Sequence, residues 1–392
     1  MTRRDALILF ILFAVSRILW TAAGVGALAV LPSQTGDEYA HLLDGGAPLD
    51  MWYRWDAGFY TSIATYGYDW QNDARPSDDM AFLPVYPVLV RAVSGLDLAS
   101  GCTRSPYLST CATIGGLLIS NIALFIAVVV TFDLTRRRFD RLTAWRAALL
   151  LLVSPISIFL SGVYTESLFL LWIALVFWLL ERDQFALALI PAVLAALTRS
   201  VGVALYPMLL IIAWQTFRAS PALIIQPRVR GLLYVLGAQL PLMAFVGYIL
   251  YMGVVVDDLG AYFSTYENTW GRQAGSVVEA FTVYFSGADV ALIGWELSWF
   301  DLAMTLIYLV LAALTFRISF AWGVFAVFAL AIPIASGTLV GMPRFGAVIL
   351  PFYLVIARGI ETRRWRWALT YGAFVALALL MLVRFVTWRW VA

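Results

Sequence analysis

Apolar residues occupy the chain in long runs, and the runs have the length of membrane crossings. The first extends from Ala6 to Leu31, and others lie at about 112–132, 142–162, 164–181, 185–199, 200–217, 231–253, 297–316, 319–340, 345–361 and 367–387. A helix needs about 20 apolar residues to cross the hydrocarbon core, so the pattern predicts about eleven transmembrane helices in an all-α polytopic membrane protein. The first run is too long for a signal-peptide core and no small-residue cleavage site follows it, so it reads as a retained anchor. Residues 185–217 form a special case: 33 residues rising 1.5 Å each span about 50 Å, too long for one crossing and short for two. Two short helices meeting at Thr198-Arg199-Ser200 are expected there, since broken helices persist where they line a protein cavity.

Two polar interruptions are long, at about 32–111 and 254–296. Within the first, Leu49–Tyr68 and Ala81–Ser94 carry helical periodicity with aromatic faces, which predicts helices along the membrane surface. No fixed-period repeat and no inverted repeat is visible, so residues 1–392 read as a single membrane domain with two elaborated outer loops.

Composition narrows the chemistry. Of the 392 residues, 62% are hydrophobic and 13% charged, against roughly half and a quarter in soluble domains. All 26 basic residues are arginine and His41 is the sole histidine, which removes Schiff-base lysines, P-loop lysines, His–Asp relays and HExxH zinc sites. The arginines are dispersed, so nucleic acid is not an expected partner. With the N-terminus inside, the short inner connections receive Arg3, Arg4, Arg136, Arg137, Arg138, Arg141, Arg182, Arg218, Arg228, Arg230, Arg317, Arg358, Arg363, Arg364 and Arg366, as the positive-inside rule requires. The first outer loop holds ten acids against four arginines. The C-terminus then falls outside, where Trp388–Trp390 suits an interfacial anchor. Cys102 and Cys111 are a disulfide candidate in an oxidising compartment, the alternative being two free thiols.

The unusual residues gather on the outer side. Trp52-Tyr53-Arg54-Trp55-Asp56-Ala57-Gly58-Phe59-Tyr60 sets one carboxylate among rings that could stack on a sugar, where partial desolvation would tune Asp56 as a base. The plain reading is that Asp56 is one of ten solvated loop acids. Glu166, with Tyr164 at the turn between the third and fourth runs, is either functional or a capping acid after Thr165. Arg199, Arg272 and Arg344 lie outside, where topology does not call for arginine, and Trp270 adjoins the second. Guanidinium forks facing the outer leaflet suit a phosphate head group, unless they pair with acids of the same loops. A base, phosphate-binding arginines and a pocket of Arg54, Trp55, Tyr60, Tyr164, Glu166 and Trp270 fit a transferase using a lipid-linked phosphate donor. The competing readings are a lipid-linked sugar flippase or transporter, and a transferase of another sugar. A transporter would set ionisable residues in mid-span, and the runs here are nearly free of charge.

Six stretches in order then resemble the PIG-V-like mannosyltransferases, the family of GPI mannosyltransferase 2 within the GT-C class. They are Trp55-Asp56-Ala57 with Ile63-Ala64 and Gly67-Tyr68; Ala81-Phe82-Leu83-Pro84-Val85-Tyr86-Pro87 leading to Arg91; Ser154-Pro155 with Ser161 and Tyr164-Thr165-Glu166-Ser167-Leu168-Phe169; Leu197-Thr198-Arg199-Ser200-Val201-Gly202; Thr269-Trp270-Gly271-Arg272; and Met342-Pro343-Arg344-Phe345. The resemblance implies a GT-C fold whose first outer loop carries the catalytic acid, Asp56, as general base. It implies an inverting α-mannosyltransferase taking mannose from polyprenyl-phosphate-mannose to a glycolipid or cell-envelope glycan on the extracytoplasmic face. Arginines would stabilise the leaving phosphate, so no cofactor and no metal is expected, although Asp37-Glu38 or Asp78-Asp79 could bind one incidentally. Two departures stand out: the family's eukaryotic members carry His where this chain has Phe59, and Phe-Phe-Pro where it has Phe82-Leu83-Pro84. The acceptor is therefore expected to differ. The lack of lysine suits a GC-rich bacterial genome, hence a plasma membrane and not the second-mannose step of GPI assembly.

Overall fold

The computed structural model describes residues 1–34, 46–68, 77–95, 104–105, 108–219, 225–272, 274–360 and 364–391. Apart from a two-residue hairpin, β1 (Arg104–Ser105) with β2 (Leu108–Ser109), and one isolated bridge, the regular structure of these residues is helical. The first run forms α1 (Arg3–Val30), opened by a capping box in which Thr2 Oγ1 accepts from the Asp5 backbone and Asp5 Oδ2 accepts from the Thr2 backbone. Three short helices occupy the first long loop: α2 (Ala47–Asp50), α3 (Ala57–Tyr66) and α4 (Val85–Ser94). There follow α5 (Thr110–Arg138), α6 (Arg141–Leu152), α7 (Ser157–Ser161), α8 (Glu166–Leu180), α9 (Phe185–Ala196), α10 (Leu205–Ala219), α11 (Ile225–Gly237) and α12 (Leu240–Val255). The second long loop carries α13 (Ala261–Trp270) and α14 (Val277–Thr282), and the chain ends with α15 (Trp299–Thr315), α16 (Phe320–Ile334), α17 (Met342–Gly346), α18 (Leu350–Gly359) and α19 (Arg364–Val386).

The chain is a multi-pass membrane protein. Five described helices are long and apolar enough to cross a bilayer: Arg3–Val30, Thr110–Arg138, Ser200–Arg218, Val229–Val255 and Arg364–Val386. The remaining apolar runs fold as shorter helices, and several expected to be continuous are broken. Run 142–162 divides into α6 and α7 at Ser154-Pro155, where proline supplies no N–H to continue the ladder. Run 345–361 likewise yields α17, a turn, and then α18, which starts with Pro351 in its first turn. The break expected near Thr198-Arg199-Ser200 is present, with α9 ending at Ala196 and a 3-10 turn at Ser200–Ala204 leading into α10.

α8 is apolar on all sides and buried along most of its length, the pattern of a central helix. It packs against α5 and α9, while α6, α16 and α18 complete the interior. α1, α12 and α15 lie outside this core and present exposed Phe10, Ile18, Met243, Leu250, Leu306 and Val310, surfaces for which lipid tails are the natural solvent.

One mid-span charge departs from the expected charge-free runs. Arg17, half-way along α1, donates from Nη2 to the Leu152 carbonyl at 2.9 Å and from Nη1 to Ser161 Oγ, and Trp20 Nε1 donates to the same carbonyl at 3.2 Å. The break between α6 and α7 strands carbonyl groups inside the bundle, and these side chains satisfy one of them.

Candidate functional site

Asp56 is held by a tightly fixed turn. Just before it, Arg54 is 1% exposed and donates to Asp50 Oδ2 at 2.8 Å, to the Asp50 carbonyl at 2.5 Å and to the Tyr53 carbonyl at 2.8 Å. The Tyr164 hydroxyl, from the corner between α7 and α8, donates to the Arg54 carbonyl at 2.6 Å. Trp55 takes φ +53°, a left-handed conformation that costs a bulky residue energy and persists where the surroundings enforce it. Asp56 then stands at the N-terminal end of α3.

Two arginines link it to a second carboxylate. Arg344 Nη1 donates to Asp56 Oδ2 at 2.6 Å, and Arg344 Nε donates to Glu166 Oε1. The same Glu166 oxygen accepts from Arg199 Nη1 at 2.7 Å, and Arg199 also donates to Thr165 Oγ1 at 2.9 Å. Glu166 is fully buried at the first residue of α8, so a carboxylate that would be costly alone is held between two guanidinium groups. Burial pulls the Arg344 guanidinium down, but Glu166 and Asp56 more than reverse this and keep its pKa well above the usual arginine value.

Arg272 differs. It follows Gly271, which ends α13 at φ +60°, and donates to Ser336 Oγ at 3.0 Å and to the Val340 carbonyl. Among the described residues it forms no salt bridge. Burial lowers its pKa to about 10, which leaves it cationic at neutral pH. The guanidinium carbons of Arg272 and Arg199 lie 5.1 and 5.5 Å from the centroid of the Phe345 ring.

These groups line a cavity of about 700 Å3, the size of an ordinary small-molecule site. Asp56, Arg199, Arg272 and Arg344 all reach it, as do Trp55, Tyr60 and Trp270. Several wall or adjoining atoms are buried without a hydrogen-bond partner among the described residues: Arg199 Nε, Glu166 Oε2, Thr269 Oγ1 and Trp390 Nε1. Buried polar atoms are rarely left unpaired, so this cavity has the polarity of a site built for a ligand. Among the described residues no group of three His, Cys, Asp or Glu side chains stands close enough to hold a metal ion.

Three expected pocket residues stand behind the wall. Arg54 is spent on Asp50 and on the turn itself, Glu166 is sealed beneath Arg199 and Arg344, and Tyr164 faces a small adjoining cavity shared by Trp55, Asp56, Arg344 and Trp390. Cys111 is disulfide-bonded, whereas Cys102 lies outside the described residues, as do His41, Asp37 and Glu38. The C-terminal tryptophans pack on Trp55: Trp388 and Trp390 each have ring centroids 5.6 Å from it. Trp390, Trp295 and Phe345 are lining residues that sequence reasoning missed. Phe345 was within reach, being next to Arg344, but nothing in the local sequence ties Trp295 or Trp390 to Asp56.

A family model described as Mannosyltransferase (PIG-V) matches residues 7–308. The GPI mannosyltransferase 2 of Drosophila pseudoobscura pseudoobscura is 36% identical over 122 residues, 30% of this chain and 24% of that one. The protein of the same name from Cryptococcus neoformans var. neoformans serotype D is 28% identical over 197 residues, 50% of this chain and 44% of that one. The matched segments thus span less than half of either relative. Among solved structures, ArnT from Cupriavidus metallidurans bound to undecaprenyl phosphate superposes on 96% of this chain and 64% of that one, with a TM-score of 0.53 at 16% identity. The shared fold is GT-C.

Proposed function

The chain belongs to the mannosyltransferase (PIG-V) family, and from that premise we propose that it transfers mannose, with inversion, from polyprenyl-phosphate-mannose to a glycolipid or cell-envelope glycan on the outer face of the plasma membrane. The observation that carries this reading is the single cavity wall shared by Asp56 and the Arg199, Arg272 and Arg344 guanidinium groups. The acceptor hydroxyl attacks the anomeric carbon of a β-mannosyl phosphate from the face opposite the leaving oxygen. Its proton passes to Asp56, the carbon–oxygen bond to phosphate breaks, and polyprenyl phosphate departs as the anion.

Arg344 fixes the Asp56 carboxylate through Oδ2, leaving Oδ1 for the acceptor hydroxyl. The leaving phosphate lies against Arg272 and Arg199, where preorganised donors in a water-poor site stabilise charge developing in the transition state. Among the described residues Arg272 is in no ion pair that must open first, and Arg199 Nε, which has no hydrogen-bond partner among them, offers a second donor. With three guanidinium groups beside the base, the charge of the leaving group is assigned to arginine and the reaction is proposed to need no metal.

The test is transfer of labelled mannose from a short-chain polyprenyl-phosphate-mannose by purified protein in EDTA. Asp56→Asn should lower turnover by roughly 10²–10⁴-fold, the usual contribution of a positioned base, while donor binding persists. Unchanged turnover in the variant would remove Asp56 from the chemistry, and loss of wild-type transfer in EDTA, restored by a divalent cation, would return the phosphate to a metal.

A further inference from the structure

Three tryptophans from distant parts of the chain close one end of the cavity. Trp55 comes from the first long loop, Trp295 from the second and Trp390 from the C-terminal tail, and all three line the wall with Asp56. Trp390 is T-shaped to both others, with ring centroids 4.1 Å from Trp295 and 5.6 Å from Trp55. Trp295 is 45% exposed and Trp55 36% exposed, so broad ring surface remains open at the mouth. Glu296 completes this rim and is exposed.

The tail is fixed in place. Arg384, in the last turn of α19, donates from Nε to the Trp390 carbonyl at 2.8 Å and from Nη2 to the Ile293 carbonyl at 3.3 Å. One guanidinium therefore ties the segments carrying Trp390 and Trp295 to each other. Trp388 takes φ +60°, a second strained tryptophan in the same cluster, and the Thr387 carbonyl accepts from the Gln34 backbone at 3.0 Å. Such strain persists only where the surroundings enforce it.

Contacts order the groups along the wall. Trp390 and Trp295 adjoin Trp55, which precedes Asp56; Asp56 meets Arg344, Arg344 and Arg199 share Glu166, and Phe345 joins Arg199 to Arg272. In this series Arg199 and Arg272 lie beyond Arg344, away from the tryptophans, while Arg344 itself shares a small cavity with Trp55, Asp56 and Trp390. A base that takes a proton from the acceptor has the acceptor on the side away from the leaving phosphate.

We propose that Trp55, Trp295 and Trp390 form the acceptor subsite, and that the acceptor group they bind is a saccharide ring. This rests on the transferase reading above. The apolar C–H face of a pyranose packs against the electron-rich face of an aromatic ring, and the ring's hydroxyls meet the unpartnered Trp390 Nε1 donor and the Glu296 carboxylate. A bare alcohol or a peptide serine would leave these surfaces uncovered. Arg384 is a positioning residue that acts through Trp390.

The experiment measures two affinities separately on the purified full chain: that of labelled polyprenyl-phosphate-mannose, and that of n-octyl α-mannopyranoside with n-octanol as control. Wild type is expected to bind the glycoside and not the alcohol. Trp390→Ala and Trp295→Ala should each weaken glycoside binding, and raise its KM where it serves as acceptor, by about tenfold, with donor affinity unchanged. Trp390→Phe should recover part of the loss, and Arg384→Gln should reproduce the KM effect with kcat held. Equal binding of octanol and glycoside by wild type, or glycoside binding unaltered in Trp390→Ala, overturns the subsite. A tryptophan variant that loses donor and glycoside affinity together has a structural defect and overturns it as well. Failure of the wild type to bind the donor overturns the transferase reading itself, a different outcome.

Discussion

Arg272 and Arg344 both stand at the cavity wall, yet they have different partners. Arg344 is committed to Asp56 and Glu166, whereas Arg272 rests on a serine hydroxyl and a backbone carbonyl. An incoming phosphate must compete with hydrogen-bonded carboxylates for the first and, among the described residues, with neutral hydrogen-bond partners for the second. Arg272→Gln should therefore raise the donor KM by about tenfold or more with acceptor KM unchanged, while Arg344→Gln, which releases the Asp56 carboxylate, should lower kcat by roughly 10²-fold or more, the low end of what a positioned base contributes. Steady-state kinetics with each substrate varied in turn separates the two, and a purely acceptor-side effect of Arg272→Gln would exclude it from the phosphate site. Sequence position marked these arginines because topology did not call for them, but which had acid partners depended on segments well over a hundred residues apart.

At the scale of elements, breaks between helices build the site. The turn after α9 sets Arg199 against Glu166, the break between α7 and α8 brings Thr165 to the wall and Tyr164 behind it, and α17 delivers Arg344. Gly202 shows how closely these pieces fit. A Cβ there would meet the Ala195 carbonyl carbon and oxygen and the Ala196 nitrogen at 2.5 Å each, and backbone cannot swing aside. Gly202→Ala should cost about 1–3 kcal/mol through overpacking and displace Arg199, read as a lower Tm together with a raised donor KM. A wild-type KM in a destabilised variant would mean that the turn does not set Arg199. The break at Thr198-Arg199-Ser200 was visible in the sequence because 33 residues fit neither one crossing nor two. The break at Ser154-Pro155 was not, since its run had a normal crossing length and the stabilising Arg17 lies in another helix. The contact of the tail tryptophans with Trp55 was hidden for a related reason: more than 300 residues separate them, and an aromatic ring with one polar edge gives no local sign of its partner.

The whole molecule has two chemically different ends, joined by α8. Its first residue, Glu166, is in the site, and just past its last turn Glu181 pairs with Arg138 at 3.0 Å. Fifteen residues rise only about 22 Å, less than the roughly 30 Å hydrocarbon core. At the far end, Asp133 gathers Arg136, Arg137 and Arg182, and Asp5 pairs with Arg141. That arginine-rich end is the one the positive-inside rule assigns to the cytoplasm, so the cavity should open outward. Intact cells treated with a membrane-impermeant maleimide test this. Glu296→Cys, at the cavity rim, should label in intact cells, whereas Arg317→Cys, in the exposed connection between α15 and α16, should label only after permeabilisation. The parent chain serves as control, because its described cysteine, Cys111, is already in a disulfide. The reverse pattern would put the cavity in the cytoplasm, within reach of nucleotide-linked sugars, and would remove the reason for expecting a lipid-linked donor.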